Sequence, residues 1–191
     1  QERRQQILKA ALTVFGQRGF HAANVSDVAA QAGVSQGTIY WYFDSKDELL
    51  TAALLSYFSD FEVDMLSQLQ TQGSAAAKLR ALGRQMEALA SDAQGLFPLF
   101  MEYWASSQQR AESAQLWASL LTEFKDVLAG VIREGVEAGE FRPVDAENLV
   151  WSMMATYDGL AAYTLLLPDL DLASASQTFI DTLIAGLSSE A

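Results

Sequence analysis

Polar and aromatic side chains are concentrated in residues 35 to 46, SQGTIYWYFDSK, and their chemistry suits the edges of DNA bases. Gln36 can form a paired hydrogen bond with adenine, the methyl group of Thr38 can contact a thymine methyl, and Gly37 lets the backbone approach closely. For the large ring of Trp41 we favour contact with DNA over core packing. The segment is therefore predicted to read base pairs in a major groove.

Groups that suit phosphate flank the same segment. Ser35 and Tyr42 offer hydroxyls, Lys46 offers a point charge, and helix N-termini add backbone N–H donors. Phosphate can thus be held without a net basic domain. Tyr40 and Phe43 could equally pack this small domain onto the following helix, and that alternative stays open.

Capping signals place these side chains on two short helices. Asn24, with Asp27 three residues later, opens the helix VSDVAAQA, and Gly33 follows where a left-handed residue is favoured. Ser35 can cap a second helix that ends near Phe43. Two short helices joined by AGVS predict a helix-turn-helix.

The remainder of the chain also repeats at helical spacing. A helix over 2 to 17 precedes the motif, and a capping box of Ser45 and Glu48 opens a long helix after it. No alternating strand pattern is present, so the fold class is all-α. We predict a helix-turn-helix domain over 1–50 and a helical effector-binding and dimerisation domain over 51–191. The later helices are expected at about 74 to 92, 96 to 107, 110 to 138, 145 to 166 and 172 to 187.

Charge divides the chain in the same way. Residues 1 to 50 hold five basic and five acidic residues, so the whole net charge of -12 belongs to the rest. The first part can therefore approach a polyanion. The absence of cysteine fits a reducing compartment, and no apolar run is long enough for a membrane span or a signal peptide. The cytoplasm is the predicted location, without a membrane partner.

The inventory of reactive side chains argues against an enzyme. His21 is the only histidine, there is no cysteine, and no phosphate-cradling glycine loop or metal-spaced cluster is present. Asp169 and Asp171 are predicted to cap the last helix and not to hydrolyse a sugar. We predict no catalytic residue, cofactor or metal. A helical DNA-binding or protein-interaction module without an effector remains the alternative.

Residues 3 to 58 resemble the N-terminal DNA-binding domain of the TetR family of ligand-responsive repressors. The start helix, the turn, GTIYWYF and SKDELL occur in the order and spacing of that family. The resemblance implies two sets of DNA contacts. The major-groove set is Gln36, Gly37, Thr38 and Trp41, and the phosphate set is Asn24, Tyr40, Tyr42 and Lys46. Ala23 and Ser26 depart from the family, which more often has threonine and a basic residue there.

The acidic second part resembles the family in architecture. The segment VIREGVEAGEFRPVD, residues 131 to 145, is similar to a turn found in several members. The resemblance implies a small-molecule effector that weakens operator binding by favouring the wrong spacing of the reading helices. Aromatic and thioether side chains are the pocket candidates, although such a set is more often plain core. They are Met86, Phe97, Phe100, Met101, Trp104, Trp117, Phe124, Met154 and Tyr157.

Small residues on one face of the predicted helix 145 to 166 indicate a homodimer, because they allow a partner helix to approach closely. This face carries Ser152, Ala155, Thr156, Gly159 and Tyr163, and the last helix adds Phe179, Ile180 and Leu183. Together they could form a four-helix interface across a two-fold axis, unless they belong to one monomer core. A dimer would read two half-sites about one DNA turn apart, so the double-stranded operator should be a palindrome.

Overall fold

The computed structural model describes residues 2–92, 96–107 and 111–188, with side chains omitted at 89–92, 104, 106, 107 and 111–113. Helices account for its regular structure in these ranges, which confirms the all-α class; the one bridge between extended residues joins Phe141 and Ser188. The helices are α1 (Glu2–Arg18), α2 (Val25–Ala32), α3 (Gln36–Tyr42), α4 (Lys46–Gln70), α5 (Ala75–Asp92), α6 (Leu96–Ser107), α7 (Ala111–Glu137), α8 (Ala146–Thr164) and α9 (Leu172–Leu187).

The chain packs into two compact units. The first comprises Gln1–Val63 with Asp92–Ser106, and the second comprises Asp64–Ser91 with Ser107–Ala191. The domain boundary predicted after residue 50 stays a prediction, because these units are defined by packing and the predicted domains by function.

In the first unit, α1 and α2 form the support on which α3 rests. One apolar stripe of α1 is buried, and its residues Ile7, Ala11 and Phe15 are each 0% exposed. The Gln6 side chain donates a hydrogen bond of 2.7 Å to the carbonyl of Ala32, which ties α1 to the end of α2. Burial of this stripe holds the helix-turn-helix in place.

The corner between α2 and α3 depends on Gly33. Its backbone is left-handed, with φ 61° and ψ 36°, as predicted, and a side chain would disfavour that conformation. The N–H of Val34 donates to the carbonyl of Ala29 at 3.0 Å, which closes the turn. The chain therefore enters α3 at a sharp, fixed angle.

The start of α4 departs in one detail from the predicted capping box. Ser45 Oγ accepts a hydrogen bond from the N–H of Glu48 at 3.0 Å, as expected. The Glu48 carboxylate, however, accepts from the N–H of Asp44 at 2.6 Å and not from that of Ser45. The turn between α3 and α4 is thus held from both sides of Ser45.

The turn between α7 and α8 organises the second unit. The Glu140 carboxylate accepts hydrogen bonds from the backbone N–H groups of Ala75 and Ala76 at 2.8 and 2.9 Å, so it caps α5. The Arg142 guanidinium donates to the carbonyl of Gly186 at 2.8 Å, at the end of α9. Asp145 caps α8. Residues 131 to 145 therefore join three helices.

The residues that the structure describes include neither a membrane-spanning helix nor a metal site. None of their helices is both long enough and apolar enough to cross a membrane. No three histidine, cysteine, aspartate or glutamate side chains among them are grouped so as to hold a metal ion.

Candidate DNA-binding site

The tip of α3 presents the predicted base-reading side chains to solvent. Gln36 and Gly37 are exposed, and Trp41 is 78% exposed. Ile39 and Phe43 lie beneath them, at 1% and 2% exposed, and anchor the helix in the core. Periodicity alone produces this separation, because positions three and four apart share one helix face.

The first turn of α3 fixes Thr38 through Ser35. Ser35 Oγ accepts a hydrogen bond from the Thr38 N–H at 3.1 Å and lies 2.8 Å from Thr38 Oγ1. The Ser35 hydroxyl is therefore already used as the cap of α3. Because the hydroxyl of Thr38 is held by Ser35, its methyl group is the part left for another partner.

Aromatic rings continue this surface at the end of α3. The rings of Trp41 and Tyr42 meet edge to face, with centroids 4.6 Å apart. Tyr42 is half-buried, whereas Tyr40 is 50% exposed. Of the two residues that could equally pack in the core, Phe43 belongs to the core and Tyr40 is exposed.

The phosphate candidates outside α3 lie at the starts of α2 and α4. Asn24 is exposed, and its backbone N–H donates to the Asp27 carboxylate at 3.0 Å. That hydrogen bond, with the Arg18 guanidinium 2.8 Å from the carboxylate, holds the pKa of Asp27 below its ordinary value. Lys46 places its ammonium 4.4 Å from the centroid of the Phe20 ring.

Two aromatic residues that hold cations were absent from the predicted site. Phe20 lies under Lys46, and the Phe43 ring lies 5.3 Å from the guanidinium carbon of Arg4. Each pair is distant in sequence, so no local pattern signals it. The tertiary fold alone brings these groups together.

The predicted dimer face lies on the open side of α8 and α9 in the second unit. Ser152, Ala155 and Tyr163 are exposed on α8, and Thr156 and Gly159 are partly exposed. On α9, Phe179 and Leu183 are half-buried.

Ile180 does not belong with that face. It is 2% exposed and lies close to Gly83 of α5, so it is part of the monomer core. One residue along a helix is a rotation of about 100°, which carries Ile180 inward from Phe179.

Hydroxyl groups on this face are turned back onto their own helices. Ser152 Oγ donates to the Asn148 carbonyl at 3.0 Å, and Thr156 Oγ1 donates to the Ser152 carbonyl at 2.8 Å. Thr178 of α9 donates in the same way to Ser174 at 2.8 Å. The hydroxyls of Ser152, Thr156 and Thr178 are therefore already used within their own helices.

The predicted pocket residues are divided between the two units. Trp117 and Tyr157 are buried in the second unit, where Met86, Phe124 and Met154 are half-buried. Phe97, Phe100 and Met101 are half-buried on α6 in the first unit, and the side chain of Trp104 lies outside the described residues.

Tyr157 carries the least expected chemistry of that set. Its hydroxyl is buried and has no hydrogen-bond partner among the residues that the structure describes. Burial, assisted by the negative charge of Glu87, raises the pKa of Tyr157 to about 12. A Cβ atom on Gly83 would lie 2.9 Å from this hydroxyl, so the glycine leaves it room. Ser176 is 2% exposed, and its buried hydroxyl likewise has no hydrogen-bond partner in the described part of the chain.

Two family models match successive parts of the chain. Residues 7–53 match the family model for bacterial regulatory proteins of the tetR family. Residues 75–188 match the model for the C-terminal part of BetI-type transcriptional repressors.

Individual relatives cover nearly the whole chain. The HTH-type transcriptional regulator TtgR of Pseudomonas putida is 33% identical over 198 residues, which span 95% of this chain and 90% of TtgR. The fatty acid metabolism regulator protein of Bacillus subtilis is 27% identical, over 95% and 94% of the two chains. The crystal structure of FadR from Bacillus subtilis with stearoyl-CoA superposes with a TM-score of 0.82 at 26% identity, covering 95% of this chain and 98% of FadR.

Proposed function

This chain belongs to the TetR family of bacterial transcriptional regulators, and on that premise we propose that it is a repressor that binds a palindromic operator as a homodimer and leaves it when a small-molecule effector binds. The observation that carries the proposal is the tip of α3, where Gln36 and Trp41 stand exposed above a buried anchor. Such an arrangement suits a recognition helix in a major groove.

Direct base contacts are assigned to the first turn and the outer face of α3. Gln36 suits an adenine edge and the Thr38 methyl suits a thymine methyl, while Gly37 adds no side chain that would keep the backbone from the bases. The exposed ring of Trp41 packs against the groove wall or a base edge.

Phosphate contacts surround the recognition helix. They fix its register on the duplex and are independent of sequence. The set comprises Asn24, Ser35, Tyr40, Tyr42 and Lys46. Ser35 acts through its backbone in this arrangement, since its hydroxyl caps α3.

The open face of α8 and α9 is assigned to the homodimer. Ser152, Ala155, Thr156, Gly159 and Tyr163 form its α8 side, and Phe179 and Leu183 form its α9 side. A groove beside them has apolar side chains from Leu170, Ala175, Phe179 and Leu183 in its lining, together with the polar residues Asp171, Ser174, Thr178 and Thr182. Because the hydroxyls of Ser152, Thr156 and Thr178 are bonded within their own helices, a second copy can cover these three residues without leaving their hydroxyls unpaired.

The effector is assigned to the interior of the second unit around Tyr157. A buried hydroxyl without a partner destabilises a fold by about 1 to 3 kcal/mol, and a glycine inside a helix by about 1 kcal/mol more. Both features occur at one point, where Gly83 makes room for the Tyr157 hydroxyl. A group kept at such cost suits a ligand contact.

The Tyr157 hydroxyl would act as a hydrogen-bond donor to that ligand. A tyrosine hydroxyl is protonated at neutral pH, and burial, assisted by the charge of Glu87, makes its ionisation harder still. The charge of Glu87 also disfavours an anionic group beside it. Met86, Phe124 and Met154 would supply adaptable apolar contacts. A coupling free energy of about 1 to 3 kcal/mol between effector and operator would change DNA affinity about 5- to 150-fold.

Selection of bound sequences from random duplex DNA tests the DNA assignment. The expected product is a palindrome whose half-sites lie one helical turn apart or somewhat more. The protein should bind it in the concentration range where the dimer forms. Recovery of unrelated sequences, with equal affinity for each, would refute the operator.

Thermal melting with and without cellular extracts tests the effector assignment. Tyr157→Phe should melt at a higher temperature than the wild type, because a buried unpaired hydroxyl is removed. The extract that raises the wild-type melting temperature should raise that of Tyr157→Phe less. A variant that melts lower and keeps the full extract-induced rise would show that the hydroxyl serves the fold.

A further inference from the structure

We infer that Phe20 is a positioning residue for DNA binding: its ring holds the Lys46 ammonium at the start of α4 and leaves the charge available for a phosphate. The inference rests on the proposed function, in which Lys46 contacts the DNA backbone. It adds a residue of a chemical type, an apolar ring, that would not contact DNA itself.

The ring of Phe20 is anchored from below. Phe20 lies in the turn between α1 and α2, and its ring meets that of Phe15 edge to face at 5.6 Å. Phe15 is 0% exposed. The ammonium of Lys46 lies on the ring at 4.4 Å from its centroid, within the range of a cation–π contact. The position of Lys46 is therefore set by the core of the first unit.

The partner of Lys46 is a ring although carboxylates are close in sequence. Asp44, Asp47 and Glu48 flank it, yet within the described ranges the Lys46 ammonium forms no ion pair with any carboxylate. The Glu48 carboxylate accepts the N–H of Asp44 instead.

A carboxylate and a ring have opposite effects on the charge that a phosphate meets. Arg18 shows the first case, since its guanidinium lies 2.8 Å from the Asp27 carboxylate. A phosphate that approached Arg18 would have to break or share that pair. An aromatic face restricts the rotamers of a lysine without adding a negative charge, so the full positive charge remains.

The same arrangement recurs at Arg4. Its guanidinium carbon lies 5.3 Å from the centroid of the Phe43 ring, and in the described part of the chain it too forms no ion pair with a carboxylate. Phe43 directly follows α3 and is fully buried. Two cations close to the ends of the helix-turn-helix are thus held by rings.

The expected effect is modest and measurable. A lysine that must first find its binding position has an apparent affinity reduced by the fraction of time it spends there. An exposed cation–π contact changes that fraction by about two- to fivefold per subunit. The loss should appear at every DNA sequence, because phosphates carry no sequence information.

The experiment is a double-mutant cycle in the full chain, with a random-sequence 30-base-pair duplex as the probe at several salt concentrations. Phe20→Leu should weaken DNA binding about two- to fivefold per subunit. Phe20→Tyr keeps an aromatic ring and should bind DNA as tightly as the wild type. In the Lys46→Met background, Phe20→Leu should weaken binding no further. Phe58→Leu removes a half-buried ring of the same unit that meets another ring, Phe100, and it should leave DNA affinity unchanged.

The outcomes separate this inference from the proposed function. Equal weakening by Phe20→Leu with and without Lys46, or failure of Phe20→Tyr to restore affinity, would overturn the positioning role while DNA binding stands. Tighter binding by Phe20→Leu would also overturn it, because the ring would then hold Lys46 away from phosphate. A wild-type protein that does not bind the duplex would overturn the proposed function itself. Melting temperatures of all variants show whether each is folded.

Discussion

The tip of α3 and the open face of α8 and α9 both expose large side chains, but their hydrogen-bonding groups differ in whether they are bonded within the protein. Trp41 is 78% exposed at the first, and Tyr163 is 56% exposed at the second. Gln36 is left without a partner among the described residues, whereas Ser152 and Thr156 are bonded to their own helix. Exposure therefore marks both surfaces, and the state of the polar groups indicates the kind of partner.

Charge reinforces this difference. The first 50 residues are neutral, and the acidic excess lies entirely in the rest of the chain. Like charges would keep DNA away from the acidic part, so the polyanion approaches the α3 end. A neutral surface can still hold DNA, because base edges and phosphates accept hydrogen bonds from uncharged donors.

The largest expected effect comes from breaking the α8–α9 face. Leu183→Asp would place a carboxylate in an apolar interface, and we expect the protein to become monomeric. Loss of the second half-site should reduce operator affinity about 10²- to 10⁴-fold, the usual range of avidity. Sedimentation equilibrium and DNA titration measure the two quantities.

Ala173→Asp is the matched control for that change. Ala173 is exposed on α9 and does not line the groove beside the open face. This variant should remain a dimer with wild-type DNA affinity. A dimeric Leu183→Asp, or a monomer that binds the operator normally, would contradict the assigned interface.

Base reading at α3 gives the next largest effect. Gln36→Ala should lose about 1 to 3 kcal/mol of discrimination at one base position and keep its affinity for unrelated DNA. Titration against operators that differ at single positions checks it. Uniform weakening at all positions would instead place Gln36 among the phosphate contacts.

Local signals carried most of the fold. The helices 96 to 107 and 172 to 187 were predicted with the bounds that the structure has, and Gly33 has the left-handed backbone that its position predicted. Caps and turns act within a few residues, so a sequence displays them directly. The membership of the family is confirmed over both parts of the chain.

Contacts between distant segments could not be predicted from these local signals. Ile180 was placed on the dimer face with Phe179, but packing against α5 draws it into the core. The Phe20 ring under Lys46 and the Tyr157 hydroxyl beside Gly83 each join distant segments. Helical periodicity gives the direction of a side chain on its own helix, and it gives no neighbour on another helix.

Removing a single hydroxyl from α3 or from the α8–α9 face should change binding less than the substitutions above. Tyr42→Phe should weaken operator binding by about 0.5 to 1.5 kcal/mol, the net value of one hydrogen bond. Thr156→Val should leave the dimer dissociation constant within about twofold of the wild type, because the Thr156 hydroxyl already bonds to Ser152. Dimer dissociation and DNA titration measure the pair. A Thr156→Val dimer that falls apart would show that this hydroxyl reaches the partner.

The smallest expected effect tests the support beneath α3, through Asp27 at the start of α2. The N–H of Asn24, and then Arg18, hold the pKa of Asp27 below its ordinary value of 3.8, so the ionised carboxylate favours the folded state. This contribution is complete above the unfolded pKa and disappears as pH falls through the lower folded value. Asp27→Asn should therefore unfold at a lower denaturant concentration than the wild type at pH 7, and the gap should narrow in the acid range below 3.8. Chemical denaturation at both pH values measures it, and a gap that stays constant would mean that the hydrogen bond alone, and not the charge, supports α2.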